Sequence, residues 1–522
     1  MSATDSSSYD HIPYRSLALP QTHPDRLATI ARVFRLTPPD VAACRVLELG
    51  CASGGNLVPM AFNLPGSEFV GIDTSRLQVE DARATIAALG LRNLRVEQAS
   101  ILDIDASWGQ FDYIIAHGVF SWVDTAVQDR ILAVAAANLS PSGVAYVSYN
   151  TYPGWHMREM VRHMMRFHAR QFAEPQEQID QARALLTFLA SASQDSGPYG
   201  QFVAAEAERA ARAPDSYVFH EHLEATNEPL YFHQFMDRAE RAGLQYLSEA
   251  ALTEMLTSHF PPAVATTLER ISPDLLHLEQ YMDFVRNRQF RQTLLCHEAR
   301  QPVRSLTPEV MLGLMISSAV AIEGAPLDLS SGGGATFVKG TQRATVKKPA
   351  SKAAFALLME AWPRALDVNT LCELALERAA PFLDGAAADD VRQGMLEDLF
   401  GAMMYGLAEL HTQPPPCINR VSERPRAHPI AAFQAESSSL VTDAHHQVQD
   451  LDPLSLEVVK LLDGTRTRGE LREVLMQWFE SGRLQLDNST TAGQGADAVR
   501  TVLEDRLNRA LENLARRALL VE

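Results

Sequence analysis

The sequence has few of the features that mark secreted, zinc-ribbon and membrane proteins. Its five cysteines are scattered and form no CxxC pair, which argues against a disulfide framework or a zinc ribbon and favours a reducing compartment. Apolar runs such as residues 313–322 are far too short to span a bilayer. Residues 1–10 are polar and acidic, without the apolar core of an export signal. We therefore predict a cytoplasmic protein with no membrane insertion.

Positive charge is also scarce. The 46 Lys and Arg residues are outnumbered by 64 Asp and Glu residues, which gives a net charge of −18. Because this charge repels phosphate and no dense Lys/Arg run offsets it, nucleic acid is not an expected partner. The histidines show neither the HExxH register nor a carboxylate-rich neighbourhood, so we predict no metal site.

From Arg45 onward, short apolar runs alternate with helix-like segments. The predicted helices cover residues 54–63, 75–89 and 125–139. The predicted strands are RVLEL, EFVGI, LRVEQ, FDYIIA and VAYVS, at residues 45–49, 68–72, 94–98, 111–116 and 144–148. This alternation predicts a doubly wound α/β domain, with a mostly parallel, Rossmann-like sheet covered by helices on both faces.

The rest of the sequence predicts helical and winged-helix-like α+β domains. We expect a first domain at 1–250 with a helical insertion at about 155–216, a helical regulatory or dimerisation region at 251–328, a middle domain at 329–413 and a C-terminal domain at 424–522. Residues 217–220 look strand-like, whereas 264–300 look mostly helical. The middle and C-terminal domains share a rhythm of apolar helix, break and second helix, typical of winged helices. Since these helices lack a basic face, we interpret them as protein-contact modules rather than DNA readers.

The motif VLELGCASGGN, residues 46–56, predicts a strand, a glycine turn and the start of a helix. Gly50, Ala52 and Gly54 have the spacing GxAxG, with Glu48 two residues before the turn and Asn56 two residues after it. This is not the dinucleotide fingerprint GxGxxG. A carboxylate beside such a turn suits a ligand with an ammonium group, such as the methionine part of S-adenosylmethionine.

Two further groups follow at the same predicted edge of the sheet. Asp73 ends the second strand, where its side chain can accept hydrogen bonds from ribose hydroxyls; the alternative is a cap on the next helix. Ser100, Ile101 and Leu102 follow the third strand and offer an apolar floor and a polar rim for adenine. Together with the glycine turn, this order resembles the class I S-adenosylmethionine-dependent methyltransferases.

Residues 9–296 resemble a smaller group within this class. SYDHIPYRSLALPQTHPDRLATIARVF, ELGCASGGNLVPMAFNLP, FDYIIAHGVFSWV, VAYVSYNTYPGW and EQYMDFVRNRQFRQTLLC look like bacterial methyltransferases that carry a methyltransferase regulatory domain. That group includes protein lysine methyltransferases that modify outer-membrane proteins. The resemblance implies S-adenosylmethionine as cofactor, a lysine-bearing protein substrate such as an outer-membrane protein precursor, a homodimer, and a lid over the cofactor formed by Tyr9, Pro13 and Tyr14.

The loops after the fourth and fifth strands carry the candidate acceptor site. Our candidates for cofactor contacts there are His117, Gly118, Val119 and Trp122, and the catalytic candidates are His117, Trp122, Asn150 and Trp155. Aromatic rings at these positions can pack on an acceptor's aliphatic stem and attract a cation through their faces. His117 is either a proton carrier or a cofactor contact, and Asn150 either accepts an amine hydrogen bond or serves as a strand-end turn residue.

Three functions remain open from the sequence. They are a protein lysine methyltransferase, a small-molecule N- or O-methyltransferase, and a non-catalytic module that binds the cofactor and signals through its C-terminal half. The cofactor motifs report only the methyl donor, so they do not separate these functions. An open groove beside Trp122 and Trp155 would favour a protein acceptor, and a closed cavity a metabolite.

Overall fold

The computed structural model describes residues 12, 15–324, 326–330, 332–383, 385–485 and 496–521. The lid residues predicted above, Tyr9, Pro13 and Tyr14, lie outside these ranges. The described residues form two compact units. The first contains residues up to 17 together with 36–303, and the second contains 18–35, with helix α1 (Pro24–Val33), together with residues from 304 onward.

The first unit is built on one seven-stranded sheet with the order β3-β2-β1-β4-β5-β7-β6. Its strands are β1 (Arg45–Leu49), β2 (Glu68–Asp73), β3 (Leu94–Gln98), β4 (Phe111–Ala116), β5 (Leu139–Asn150), β6 (Leu244–Glu249) and β7 (Phe290–His297). Strands β1 to β5 pair in parallel, and β7 runs antiparallel to both β5 and β6. The predicted Rossmann-like, mostly parallel sheet is confirmed.

Helices connect these strands and form an additional helical layer after β5. They are α2 (Leu57–Asn63), α3 (Arg76–Leu89), α4 (Thr125–Asn138), α5 (Gly154–Ala169), α6 (Pro175–Ala192), α7 (Gly197–Arg212), α8 (Asp215–Val218), α9 (Phe232–Arg241), α10 (Pro262–Ile271) and α11 (Leu275–Arg286). Val161 and Met165 of α5 pack with Ile179 and Leu186 of α6 in a core of their own. This core explains why the insertion holds together beside the sheet.

The structure differs from two of the predicted segments. Residues 217–220, which look strand-like, belong to α8 and the π-helical turn Phe219–Leu223 that follows it. The predicted helical stretch 264–300 ends in β7, so the sheet continues past residue 250. Charged and polar side chains near the start of β7 hide the strand, because the carboxylates that pair with Arg291 lie on other elements, namely α11 and β6.

Arg291 is the centre of a buried ion network on β7. Its guanidinium is 0 % exposed and lies 2.7 Å from Glu249, 2.8 Å from Asp283 and 3.1 Å from Glu279. It also lies 3.8 Å from the ring centroid of Phe232. Burial raises the pKa of the Glu279 carboxyl to about 7, against the opposing effect of Arg291. The network joins β6, β7 and α11, and it satisfies an arginine that could not otherwise be buried.

The second unit combines small sheets with helices. Its strands are β8 (Met315–Ser317), β9 (Ala321–Glu323), β10 (Ala335–Lys339), β11 (Gln342–Val346), β12 (Leu366–Asp367), β13 (Glu409–His411), β14 (Leu440–Thr442) and β15 (Val448–Asp450). Its later helices are α12 (Pro349–Ala361), α13 (Val368–Ala379), α14 (Ala388–Met404), α15 (Pro429–Ala435), α16 (Pro453–Leu461), α17 (Arg468–Glu480) and α18 (Ala496–Arg516). None of the helices in the described ranges is long and apolar enough to span a membrane.

Helix α1 joins this unit through Asp25. The carboxylate of Asp25 accepts the backbone N–H of Thr412 at 2.7 Å and lies 3.2 Å from Nδ1 of His411. The predicted first domain placed these residues with the sheet, whereas the structure groups residues 18–35 with the second unit. Such a long-range partner leaves no local pattern in the sequence.

Candidate active site

A glycine turn links β1 to α2 at the carboxyl edge of the sheet. Gly50 and Gly54 have φ angles of +74° and +75°, in the left-handed region that favours glycine. Ala52 has a φ of +48°, and its methyl group there costs about 1 kcal/mol. A Cβ atom on Gly50 would lie 2.5 Å from Cγ2 of Val119. The turn is therefore packed against the loop that follows β4.

Asp73 at the end of β2 holds this turn in place. Its Oδ2 accepts the backbone N–H of Ala52 at 2.9 Å, and its Oδ1 accepts that of Ser75 at 2.9 Å. The cap of α3 is Ser75 itself, whose Oγ accepts the N–H of Gln78. The Asp73 carboxylate therefore lies beside the glycine turn, at the carboxyl end of β2.

Glu48 is a buried carboxylate under the glycine turn. Its Oε1 accepts a hydrogen bond from Nδ2 of Asn56 at 2.8 Å, whereas its buried Oε2 has no hydrogen-bond partner among the described residues. Burial raises the pKa of Glu48 to about 7; the Asn56 hydrogen bond opposes this rise and Asp73 adds to it. An unsatisfied carboxylate oxygen of this kind suits a cationic ligand group.

The residues after β3 divide into a buried and an exposed part. Ser100 caps the short turn Ile101–Asp103, since its Oγ accepts the N–H of Leu102. Ile101 packs into the core of the sheet. Leu102 is 51 % exposed. The apolar surface at this edge therefore comes from Leu102, with Ile101 supporting it from beneath.

His117 follows β4 and faces β5. Its Nδ1 lies 2.8 Å from the hydroxyl of Tyr146, and the N–H of Gly118 donates to Oγ of Ser148 at 2.9 Å. Burial lowers the pKa of His117 to about 4, so the ring is neutral at neutral pH. These contacts fix the loop that carries Gly118 and Val119 next to the glycine turn.

Trp122 and Trp155 form an aromatic pair with unequal exposure. Their ring centroids are 6.3 Å apart, with one edge directed at the other ring. Trp122 is partly exposed, whereas Trp155 is 1 % exposed and lies beneath the guanidinium of Arg158, at 5.4 Å. Trp155 is thus buried and packs against Trp122, and its role in catalysis stays a prediction.

Asn150 ends β5 and is 5 % exposed. Its backbone N–H donates to Oγ of Ser121 at 2.8 Å. Its side-chain Nδ2 donates to Oδ1 of Asn227 at 2.9 Å. The predicted acceptor-site loops after β4 and β5 therefore meet at Asn150.

Four residues of this site escaped the sequence interpretation, namely Ser16, Tyr146, Ser148 and Asn227. Ser16 accepts the N–H of Gly55 at 2.8 Å. The sequence did contain a signal for Tyr146 and Ser148, because they lie at every second position before Asn150 and therefore share one face of β5 with it. Asn227 gave no such signal. Within the described ranges, no group of three His, Cys, Asp or Glu side chains is placed to hold a metal ion.

Three family models match separate parts of the chain. A methyltransferase domain matches residues 47–145, and a predicted methyltransferase regulatory domain matches residues 214–297. The C-terminal winged helix domain of PKMT matches residues 423–519. The winged-helix character predicted for the C-terminal region is therefore confirmed.

One solved structure and two curated relatives match large parts of the chain. The structure of PKMT2 from Rickettsia typhi in complex with AdoHcy is 29 % identical and has a TM-score of 0.88, covering 98 % of this chain and 100 % of that chain. The uncharacterised protein RP789 of Rickettsia prowazekii is 33 % identical over 99 % of this chain and 94 % of its own length. A second uncharacterised protein of that organism, RP028, is 40 % identical over 47 % of this chain and 98 % of its length.

The sheet order, the glycine turn and these matches define a class I S-adenosylmethionine-dependent methyltransferase. S-adenosylmethionine is accordingly its cofactor. More narrowly, the chain belongs to the family of PKMT-type methyltransferases that combine this catalytic domain with a regulatory domain and a C-terminal winged helix.

Proposed function

We propose that the chain is a protein lysine N-methyltransferase. The observation that carries this proposal is its likeness to PKMT2 over 98 % of the chain, which includes the regulatory and winged-helix parts as well as the catalytic domain. A small-molecule enzyme would need only the sheet and its loops. The net charge of −18 also suits an acceptor that carries a lysine.

We further propose which residues hold the cofactor. Glu48 receives the ammonium group, and Asp73 receives the ribose hydroxyls. The remaining contacts are Gly50, Ala52, Gly54, Asn56, Ser100, Ile101, Leu102, His117, Gly118, Val119 and Trp122. The bound cofactor supplies an activated methyl group on a sulfonium. The unsatisfied Oε2 of Glu48 supports the first assignment. The place of the Asp73 carboxylate beside the glycine turn, where it accepts the N–H of Ala52, supports the second.

The acceptor must lose a proton before methyl transfer. A lysine with the reference pKa of about 10.4 lies about 3.4 units above neutral pH, so deprotonation costs roughly 4.6 kcal/mol. A partly buried site lowers this cost because burial disfavours the charged amine. In our proposal Trp122 packs on the lysine stem and Asn150 accepts an N–H of the amine. His117 is a cofactor contact, since its low pKa makes it a poor proton carrier.

Cofactor binding should depend on pH through Glu48. With a pKa of about 7, Glu48 is mostly protonated at pH 6 and mostly ionised at pH 7.5, and only the ionised form attracts an ammonium group. We expect the Kd for S-adenosylmethionine, measured by calorimetry, to be roughly tenfold weaker at pH 6 than at pH 7.5. Glu48→Gln should bind weakly at both values. A tenfold dependence that persists in this variant would refute the assignment of Glu48.

The acceptor type is tested with a chemically blocked substrate. Labelled methyl transfer is measured into a protein extract whose lysines are intact and into the same extract after acetylation of its lysine amines. Lysine methylation predicts label in the intact protein fraction and its loss after acetylation, with methyllysine recovered on hydrolysis. Label that survives acetylation, or that appears only in small molecules, would contradict the proposal.

We also propose that the protein acts in the cytoplasm and that it forms a dimer. All five cysteines are free thiols, four of them buried, which supports a reducing cytoplasm. We propose a homodimer on the family resemblance alone.

A further inference from the structure

A segment of the regulatory region runs along the acceptor edge of the sheet. Glu228 donates its N–H to the carbonyl oxygen of Ser121 at 2.7 Å, and Leu230 donates its N–H to that of Asn150 at 3.2 Å. The carbonyl oxygen of Leu230 in turn accepts the hydroxyl of Thr151 at 2.7 Å and the N–H of Tyr152 at 3.2 Å. Residues 227–230 therefore lie alongside the end of β5, with a parallel bridge between Thr151 and Leu230.

This extended segment brings Asn227 against Asn150. Oδ1 of Asn227 accepts Nδ2 of Asn150 at 2.9 Å, and Asn150 is also held through its backbone N–H by Ser121. Because one end of the Asn150 amide donates to Asn227, its carbonyl oxygen is directed to the other side. Nδ2 of Asn227 is buried and has no hydrogen-bond partner among the described residues.

We infer that Asn227 is a positioning residue for methyl transfer, which acts through Asn150 by fixing the side-chain amide that accepts the N–H of the lysine amine. The inference rests on the proposed function. It assigns part of the acceptor site to the region that matches the regulatory domain, residues 214–297. An amide free to rotate would present its NH₂ group to the amine in part of the population, and the misaligned acceptor would react more slowly.

Two isosteric variants isolate the hydrogen bond. Asn227→Leu removes the acceptor oxygen while keeping the number and branching of the side-chain heavy atoms, and Asn227→Asp retains an oxygen for Nδ2 of Asn150. At saturating S-adenosylmethionine, we expect Asn227→Leu to lower the initial rate of methyl transfer to the intact protein extract by about tenfold or more, with Asn227→Asp within about threefold of the unmodified chain. The Kd for S-adenosylmethionine should stay unchanged in both. Thr226→Ala, on the same segment but outside the amide pair, is the control and should keep full activity.

A double-mutant cycle with Asn150→Ala separates positioning from general damage. If Asn227 acts through Asn150, Asn227→Leu slows the unmodified chain but adds nothing in the Asn150→Ala background. Multiplicative losses, or equal losses in the Leu and Asp variants, would overturn the inference. Should the Leu variant fail to fold, the cycle is run with Asn227→Ala. An unmodified chain that labels no lysine would overturn the proposed function itself, which is a distinct result.

Discussion

Asp73→Ala is expected to weaken S-adenosylmethionine binding by about a hundredfold or more. The substitution removes the acceptor for the N–H of Ala52, which keeps that residue in its left-handed conformation, and it removes the acceptor proposed for the ribose hydroxyls. The loss of the turn conformation and the loss of the ribose contact therefore both weaken cofactor binding. The measurement is calorimetric titration of the variant with S-adenosylmethionine.

A neighbouring residue provides the matched control. Ser75→Ala removes the cap of α3, so it should cost about 1 kcal/mol of stability while leaving the Kd within threefold. Asp73→Asn keeps one acceptor oxygen, so its Kd for S-adenosylmethionine should lie between those of Asp73→Ala and Ser75→Ala. If Asp73→Ala bound S-adenosylmethionine as tightly as Ser75→Ala, the assignment of Asp73 would have to be abandoned.

Arg291→Met is expected to cost about 3–5 kcal/mol of the free energy of unfolding. The variant leaves Glu249, Glu279 and Asp283 buried without the cation that pairs with all of them. Because these side chains join β6, β7 and α11, the loss affects the edge of the sheet next to β5. Urea denaturation followed by circular dichroism measures the effect.

Arg95→Met is the control for this stability prediction. Arg95 makes a comparable 2.7 Å ion pair with Glu68, but its side chain is 48 % exposed, so its removal should cost less than about 0.5 kcal/mol. Comparing the two losses of unfolding free energy tests whether burial, rather than the ion-pair distance, determines the contribution of an arginine. Equal losses in Arg291→Met and Arg95→Met would contradict the proposed importance of the buried network.

The sequence predicted the central sheet because its signal is local. Strands β1 to β5 are apolar runs bounded by turns, and the helices between them keep the same order in the structure. The same locality explains the cofactor motif, since Glu48, the glycine turn and Asp73 each directly follow or lie within a strand. Structure and site residues can be predicted from sequence most reliably where one short segment determines both the local fold and the chemistry.

The features that the sequence interpretation missed depend on partners that lie on other elements of the fold. Strand β7 has an arginine in its interior that is buried only because α11 and β6 supply carboxylates. Helix α1 groups with the second unit through Asp25 and residues nearly four hundred positions later. Asn227 reaches Asn150 only after the whole helical insertion has folded back to the sheet.

For the acceptor-site residues, the sequence also does not determine how exposed a single side chain is. Trp122 and Trp155 look equivalent in sequence, yet one ring is partly exposed and the other is buried beneath Arg158. The exposure of each ring depends on its tertiary packing, which the spacing of the residues does not encode. A prediction of substrate contact therefore needs the tertiary structure, whereas a prediction of the cofactor class does not.

The most direct test of the central claim is to locate the transferred methyl group. The chain is incubated with S-adenosylmethionine deuterated on its methyl group and a protein extract, and the products are examined by tandem mass spectrometry, with Asp73→Ala in parallel. We expect deuteromethyl groups on lysine Nε atoms, and we expect them to be absent with the variant. Deuteromethyl groups only on metabolites or on other protein atoms, or equal labelling by the variant, would contradict it.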